Sequence, residues 1–293
     1  MVYSKSFRRC LIIALSIIFF LSAAIVSAKI QMYTATGEDY ANEVESQDIA
    51  KLRARDNAIK KATKEAGVYL KSYSRTVNSE LTDDEVTAIT SNAWQLVGEP
   101  KYSSEIKKLS DETTIIVWKA TVEVNVDDSE IQSWIKREDK DKSTITTQTC
   151  EAQKAAEENE HQIRDLRGKY SRATSQSEKD KLREQMTYVD RDFLANQKID
   201  EGNKLAYSKD YNGAIKFYNE ALELNPNFAV AYPNRANAYK NLGQYELALN
   251  DCNKAIQLRP NFSAWYQLRA YIYQKFGEDK KAQSDFNKAN NGH

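Results

Sequence analysis

Few side chains in this 293-residue chain could carry covalent chemistry. There are two histidines: His161 stands amid Glu157, Glu158 and Glu160, and His293 is the last residue. Cys10, Cys150 and Cys252 have no paired spacing suited to a metal, a redox couple or a structural disulfide. No glycine-rich phosphate loop or nucleophile elbow occurs in the sequence. The tightest carboxylate cluster, Asp83-Asp84-Glu85, falls at an expected helix start, where the helix dipole accounts for it. The sequence therefore predicts no catalytic residue, no metal site, no cofactor and no enzyme. What remains is recognition by amides, which donate and accept hydrogen bonds, and by tyrosines, which offer flat area with a polar tip.

Those side chains concentrate in residues 195–293, which repeat themselves. Ala214, Ala248 and Ala282 are 34 residues apart, and Ala221, Ala255 and Ala289 keep the same step. So do Tyr211 and Tyr245, Pro226 and Pro260, Tyr239 and Tyr273, and Gly243 and Gly277. A 34-residue period marks stacked helical pairs. In the second copy, residues 229–243 read as a helix ended by Gly243, and residues 244–258 as its partner, stopped by Pro260. Ala236 and Ala248 let the two helices approach closely, while Tyr232, Tyr239, Tyr245 and Leu249 fill the space around them.

At these residues the chain resembles the tetratricopeptide repeat family. Tyr232, Arg235, Ala236, Tyr239, Gly243, Tyr245, Ala248, Cys252, Ala255 and Pro260 stand in its signature columns. The first copy (195–228) carries Gly202, Tyr211, Ala214, Tyr218, Ala221 and Pro226. It departs at Leu205, where an aromatic is usual, and at Lys209, where glycine is frequent. The third copy (263–293) carries Tyr266, Ala270, Tyr273, Gly277, Ala282, Phe286 and Ala289. The resemblance implies an all-α superhelix whose concave face, lined by the first helix of each copy, takes a protein or peptide segment. By column that face presents Asn203 and Tyr207, then Asn234, Asn237, Lys240 and Asn241, then Gln267, Tyr271, Gln274 and Lys275. The plainer alternative is that these residues are the solvated side of their helices. The family's carboxylate-binding version needs Lys and Arg where this chain has Ile199, Ala264 and Leu268, so it does not imply C-terminal carboxylate capture here.

The remaining two thirds must position that face. Lys and Arg number 42, as do Asp and Glu, so no general attraction to nucleic acid is expected. Residues 1–28 read as an export signal: Lys5, Arg8 and Arg9, an apolar run over 11–26, and Val26-Ser27-Ala28 as a cleavage site. The run is shorter than the ~20 residues that span a bilayer. An uncleaved anchor, the chain's one membrane contact, is the alternative. Both readings put the working domains outside the cytoplasm, in a periplasm or cell envelope.

Residues 29–137 read as an α+β domain, a small antiparallel sheet with helices on one face. A strand is expected over 29–37, ending at Gly37. A helix follows with Ala50, Ala54, Ala58, Ala62 and Ala66 as a stripe, interrupted or ended by Gly67. A second helix, capped by Asp83 and Asp84, is expected to run through Trp94 and Leu96. Strands over 102–109 and 113–126 form a hairpin around Lys108-Leu109-Ser110-Asp111-Glu112, with a short helix after Asp127. The alanine helix, from Ala50 through Arg53 and Arg55 to Ala62 and Glu65-Ala66-Gly67, resembles the N-terminal domain of flagellar assembly protein T and related exported bacterial envelope proteins. That resemblance implies a structural or assembly role in the envelope.

Residues 138–194 are charged and helix-prone. Ser175-Gln176-Ser177-Glu178 is a capping box, and Leu182, Met186, Val189 and Phe193 form a narrow seam. This stretch is expected to be a solvated spacer whose second helix caps the first repeat, or else a coiled-coil dimerisation arm. The face of Ala282, Phe286 and Ala289 is expected to pack on another subunit, a partner or the N-terminal domain, so a homo-oligomer would form through the spacer or the last repeat. The sequence thus predicts an exported scaffold or adaptor working through its repeats. Its rival is a small-ligand binder or enzyme with a site near Arg53, Arg55, Tyr69 or Trp118.

Overall fold

The computed structural model describes residues 30–42, 44–76, 81–108, 114–127 and 129–290. The expected signal and the hairpin turn at 109–113 lie outside the described residues. Alternating side chains make β1 (Ile30–Ala41), which pairs antiparallel with β4 (Thr114–Asp127), from Ile30 opposite Asp127 to Ala41 opposite Ile116. The other edge of β4 takes β2 (Gln95–Leu96) and then β3 (Lys101–Lys108), both antiparallel.

Helix α1 (Gln47–Thr76) lies on this sheet through its alanine stripe; Ala50, Ala54, Ala58, Ala62 and Ala66 are at most 1% exposed. The strand does not stop at Gly37, because Gly37 is the point of closest approach to the helix. A Cβ there would lie 2.2 Å from the Ala58 backbone nitrogen and 2.3 Å from the Ala54 carbonyl oxygen. Gly67 does not break α1 either. A mid-helix glycine weakens a helix by about 1 kcal/mol, which tertiary packing overrides here, with Gly67 set against Val86.

Helix α2 (Asp83–Asn92) is capped by Thr82 rather than by Asp83 or Asp84. The Glu85 amide donates to Thr82 Oγ1 at 3.1 Å, and the Thr82 amide donates to the Glu85 carboxylate at 2.9 Å. It ends before Trp94, so Leu96 lies in β2 instead of a longer helix. With α3 (Ser129–Ile135), it closes a core around Leu70, Ile89, Ile131 and Trp134.

Helices α4 (Asp139–Arg172) and α5 (Gln176–Tyr207) form an antiparallel hairpin. Ile163, Leu166 and Tyr170 pack against Leu182, Met186 and Val189. The pair is not a solvated spacer, since two buried arginines tie it to the N-terminal unit. Arg53 donates to Asn159 at 3.1 Å and to Asp190 at 2.9 Å, under the Phe193 ring. Arg167 donates to Glu45 at 2.7 Å, to both oxygens of Asp39 and to the Tyr40 carbonyl. Planar guanidinium forks satisfy several acceptors at once, which is what a buried cation requires.

Helix α5 runs unbroken from its Ser175 cap to Ser208, with Gly202 packed against the Tyr218 ring, so the boundary expected at 194/195 falls inside one helix. Its last turns are the first helix of the repeat array. They are followed by α6 (Tyr211–Leu224), α7 (Ala231–Asn241), α8 (Tyr245–Leu258), α9 (Ser263–Lys275) and α10 (Asp279–Asn290). Gly243 and Gly277 turn between paired helices at φ 75° and 70°, and Lys209 makes the same turn at φ 66°. Arg235 clamps Asp251 with two 2.8 Å bonds and also reaches Asn219. One repeat later Arg269 does the same to Asp285 and Asn253. The architecture is an α+β unit joined through a helical hairpin to an all-α superhelix.

Candidate functional site

The concave face is built by the end of α5, by α7 and by α9, and the structure divides its ten expected residues into four groups. Asn203 and Asn234 face inward: Asn203 Oδ1 accepts from Tyr218 Oη at 2.9 Å and from Asn234 Nδ2 at 3.0 Å. Buried amides so paired hold adjacent copies in register. Tyr207 has a second role that its repeat column does not show. It belongs to the N-terminal core, stacks on Trp134 at 6.4 Å, lies under Arg137 and donates to Glu130 at 3.1 Å. The unbroken α5 delivers it there, and it also lines a small cavity of about 40 Å³ with Asn203, Asn234, Asn237, Lys240 and Asn241.

Asn237, Lys240, Gln267 and Tyr271 are brought together. With Asn234 they line a cavity of about 190 Å³. Lys240 Nζ donates to Asn237 Oδ1 at 3.1 Å and lies 5.8 Å from the centre of the Tyr271 ring, which Lys275 approaches to 5.2 Å. Asn241, Gln274 and Lys275 are exposed at the helix ends.

The opposite wall of this cavity is one that the sequence reading placed elsewhere. It is the first half of α4, through Ser143, Thr144, Thr147, Gln148 and Glu151. Trp265 Nε1 donates to Glu151 Oε2 at 3.2 Å, and Asn92 Nδ2 donates to Thr149 Oγ1 at 3.0 Å, so α4 is fastened on both sides. Ala152, the next residue of α4, packs with Ile199, Ala214 and Tyr218. The signal was present as Thr144, Gln148, Glu151 and Ala152 at three-to-four spacing. Being mostly polar, that stripe resembled a solvated face.

Glu151 is 7% exposed. Burial pushes its carboxyl up to about 7, against the pull of the Trp265 bond and the fields of Arg259 and Lys154. Glu151 Oε1, Asn234 Oδ1 and Gln148 Nε2 are buried without a hydrogen-bond partner among the described residues.

A larger cavity of about 440 Å³ lies between α1, α2, α4 and α5, with Arg55, Lys60, Trp94, Asn196, Asp200 and Lys204 among its walls. Lys204 Nζ sits 3.4 Å from the centre of the Trp94 ring, and Asn196 Oδ1 has no hydrogen-bond partner among the described residues.

Family profiles described as "TPR repeat" and "Tetratricopeptide repeat" match residues 202–243 and 229–262. Residues 202–262 are tetratricopeptide repeats. Over 51 residues, 17% of this chain, the sequence is 49% identical to a small glutamine-rich tetratricopeptide repeat-containing protein 2 of Mycosarcoma maydis. Over 58 residues, 20% of this chain, it is 47% identical to the human small glutamine-rich tetratricopeptide repeat-containing protein beta. The chain spans 14% and 19% of the length of these two relatives. Among solved structures, the second TPR of Spaghetti bound to the HSP90 peptide SRMEEVD is 28% identical, with a TM-score of 0.33, covering 34% of this chain and 92% of that one. Within these tetratricopeptide repeats the Arg235 clamp fastens α7 to α8, and the Arg269 clamp does the same for α9 and α10, which follow the matched residues.

Proposed function

We propose that this chain is a non-catalytic adaptor or scaffold of a cell envelope, and that its tetratricopeptide repeats hold a segment of a partner protein. The observation that carries the reading is the convergence of Asn237, Lys240, Gln267 and Tyr271, from two successive repeats, on one cavity. Amide and phenol groups so placed can bond a peptide backbone whatever its sequence. Helix α4 supplies the facing wall, so the segment enters beside the third repeat, where Gln267, Gln274 and Lys275 are exposed. Ile199 is buried and Ala264 and Leu268 lie against apolar neighbours, which favours an internal segment over a terminal carboxylate.

Capture from crosslinked envelope fractions tests this, with the full chain compared with a Gln267→Ala/Tyr271→Ala variant. A partner retained by the first and lost by the second supports the groove; a partner held equally by both contradicts it. Export rests on the basic start and apolar run of residues 1–28. Mass spectrometry of the mature N-terminus checks it. A chain beginning at Lys29 outside the cytoplasm supports export, and a full-length cytoplasmic chain contradicts it.

The 440 Å³ cavity beside Arg55 favours a second reading, a small-ligand site between the N-terminal unit and the hairpin. A small ligand found by native mass spectrometry would then stay with the Gln267→Ala/Tyr271→Ala variant and be lost on Trp94→Ala.

A further inference from the structure

We infer that the cavity between α4 and the repeats binds an organic cation, the lysine or arginine side chain of the bound segment; this rests on the groove reading above and names what the segment must carry. Glu151 lines the cavity with a carboxylate whose Oε2 accepts the Trp265 indole and whose Oε1 accepts nothing. Arg259 and Lys154 act on it through their fields, yet neither forms an ion pair with it. A carboxylate withdrawn from water is strongly disfavoured unless a cation and hydrogen bonds replace the lost hydration. Asn234, 1% exposed, brings a second acceptor, its unpartnered Oδ1, to the same space.

Two acceptor oxygens beside a cavity of about 190 Å³ match the donors of an ammonium or guanidinium. An apolar ligand would leave both oxygens unbonded, and the unpartnered donor on the same wall, Gln148 Nε2, suits a carbonyl oxygen of the segment that carries the cation. The Tyr271 ring adds a face that attracts cations, and already has Lys240 and Lys275 near it. Lys240 also lines the cavity, with its ammonium bonded to Asn237 Oδ1, so one positive charge is already present on the wall opposite Glu151. The site therefore favours a cation that approaches from the Glu151 side.

The test uses the full chain and two probes that differ only by the terminal ammonium group, N-acetyl-lysine methylamide and N-acetyl-norleucine methylamide, measured by titration calorimetry at pH 8. The lysine probe should bind at least about tenfold tighter than norleucine, a difference of about 1.4 kcal/mol. Glu151→Gln, which keeps the size and an indole acceptor, should erase that preference. In the unaltered chain the preference should fall as the pH drops below 7, a readout needing no variant. Equal binding of the two probes, or an undiminished preference in Glu151→Gln, overturns the inference. Peptides that bind whether or not they contain lysine or arginine would refute the cation site and leave the groove reading standing. Binding of free butylammonium without binding of any peptide would keep the cation site and remove the groove reading.

Discussion

Glu151 and Trp265, 114 residues apart in sequence, are joined by an indole-to-carboxylate hydrogen bond of 3.2 Å in a buried seam between α4 and the third repeat. This contact converts the middle of the chain from a linker into a wall of the groove. It also places a carboxylate where little water reaches it, at 7% exposure, and so makes stability depend on pH.

The unfolded Glu151 carboxyl titrates near 4.5, and the folded one near about 7 because of its burial. Between those values the folded state keeps a proton that the unfolded state has released. The contribution of this group is therefore full below about pH 4.5 and is lost as the pH rises through 7. Glu151→Gln is neutral throughout. Its advantage over the unaltered chain in urea denaturation should grow from near zero at pH 4.5 to as much as about 3 kcal/mol at pH 8. A difference that does not change with pH would contradict the assignment.

Gly37 sets the distance between α1 and the sheet. Gly37→Ala would put a methyl group 2.2 Å from the Ala58 nitrogen, and the backbone atoms it meets cannot swing aside. A loss of about 3 kcal/mol or more is expected, read by chemical denaturation. The same substitution at exposed Gly98 tests positive φ alone, since a Cβ there meets nothing within 4 Å, and should cost about 1 kcal/mol.

Lys209 holds a left-handed turn that Gly243 and Gly277 make in the later repeats. Lys209→Gly should stabilise the chain by about 0.5–1 kcal/mol, after allowing for the freer unfolded glycine. Lys209→Ala should give no gain. Equal effects of the two would show that the turn is unstrained.

Arg235 neutralises Asp251, which is 6% exposed. Arg235→Met should cost about 3–5 kcal/mol, because it leaves a buried carboxylate unpaired. Adding Asp251→Leu should recover most of that loss, and a double-mutant cycle in urea measures the coupling. Additive losses would refute the clamp.

The repeats were legible because each 34-residue column records a close contact that only a few residue types satisfy. Ala248 and Ala282, buried between helices, and Gly243, at positive φ, are such positions. The alanine stripe of α1 was legible for the same reason. Gly37 and Gly67 were misread as stops because glycine's local freedom is visible in sequence, whereas the helix that approaches it is not. The place of Tyr207 in the N-terminal core was hidden because its column assumes a helix that begins with the repeat, and α5 begins at Gln176. The α4 wall escaped notice because polar side chains made it, and a polar stripe has the same pattern whether it meets water or an amide-lined groove.

The most direct test of the groove is site-specific photocrosslinking in the full chain in its native host. A photoreactive residue would stand at Gln267 or Gln274 on the concave side, and at Glu246 on α8 as the control, all three being exposed. Crosslinked peptides would then be sequenced. The account predicts that the two concave positions capture the same short segment of one partner protein and that Glu246 does not. Capture of that partner equally from Glu246, or adducts from the concave positions scattered over unrelated proteins, would contradict it.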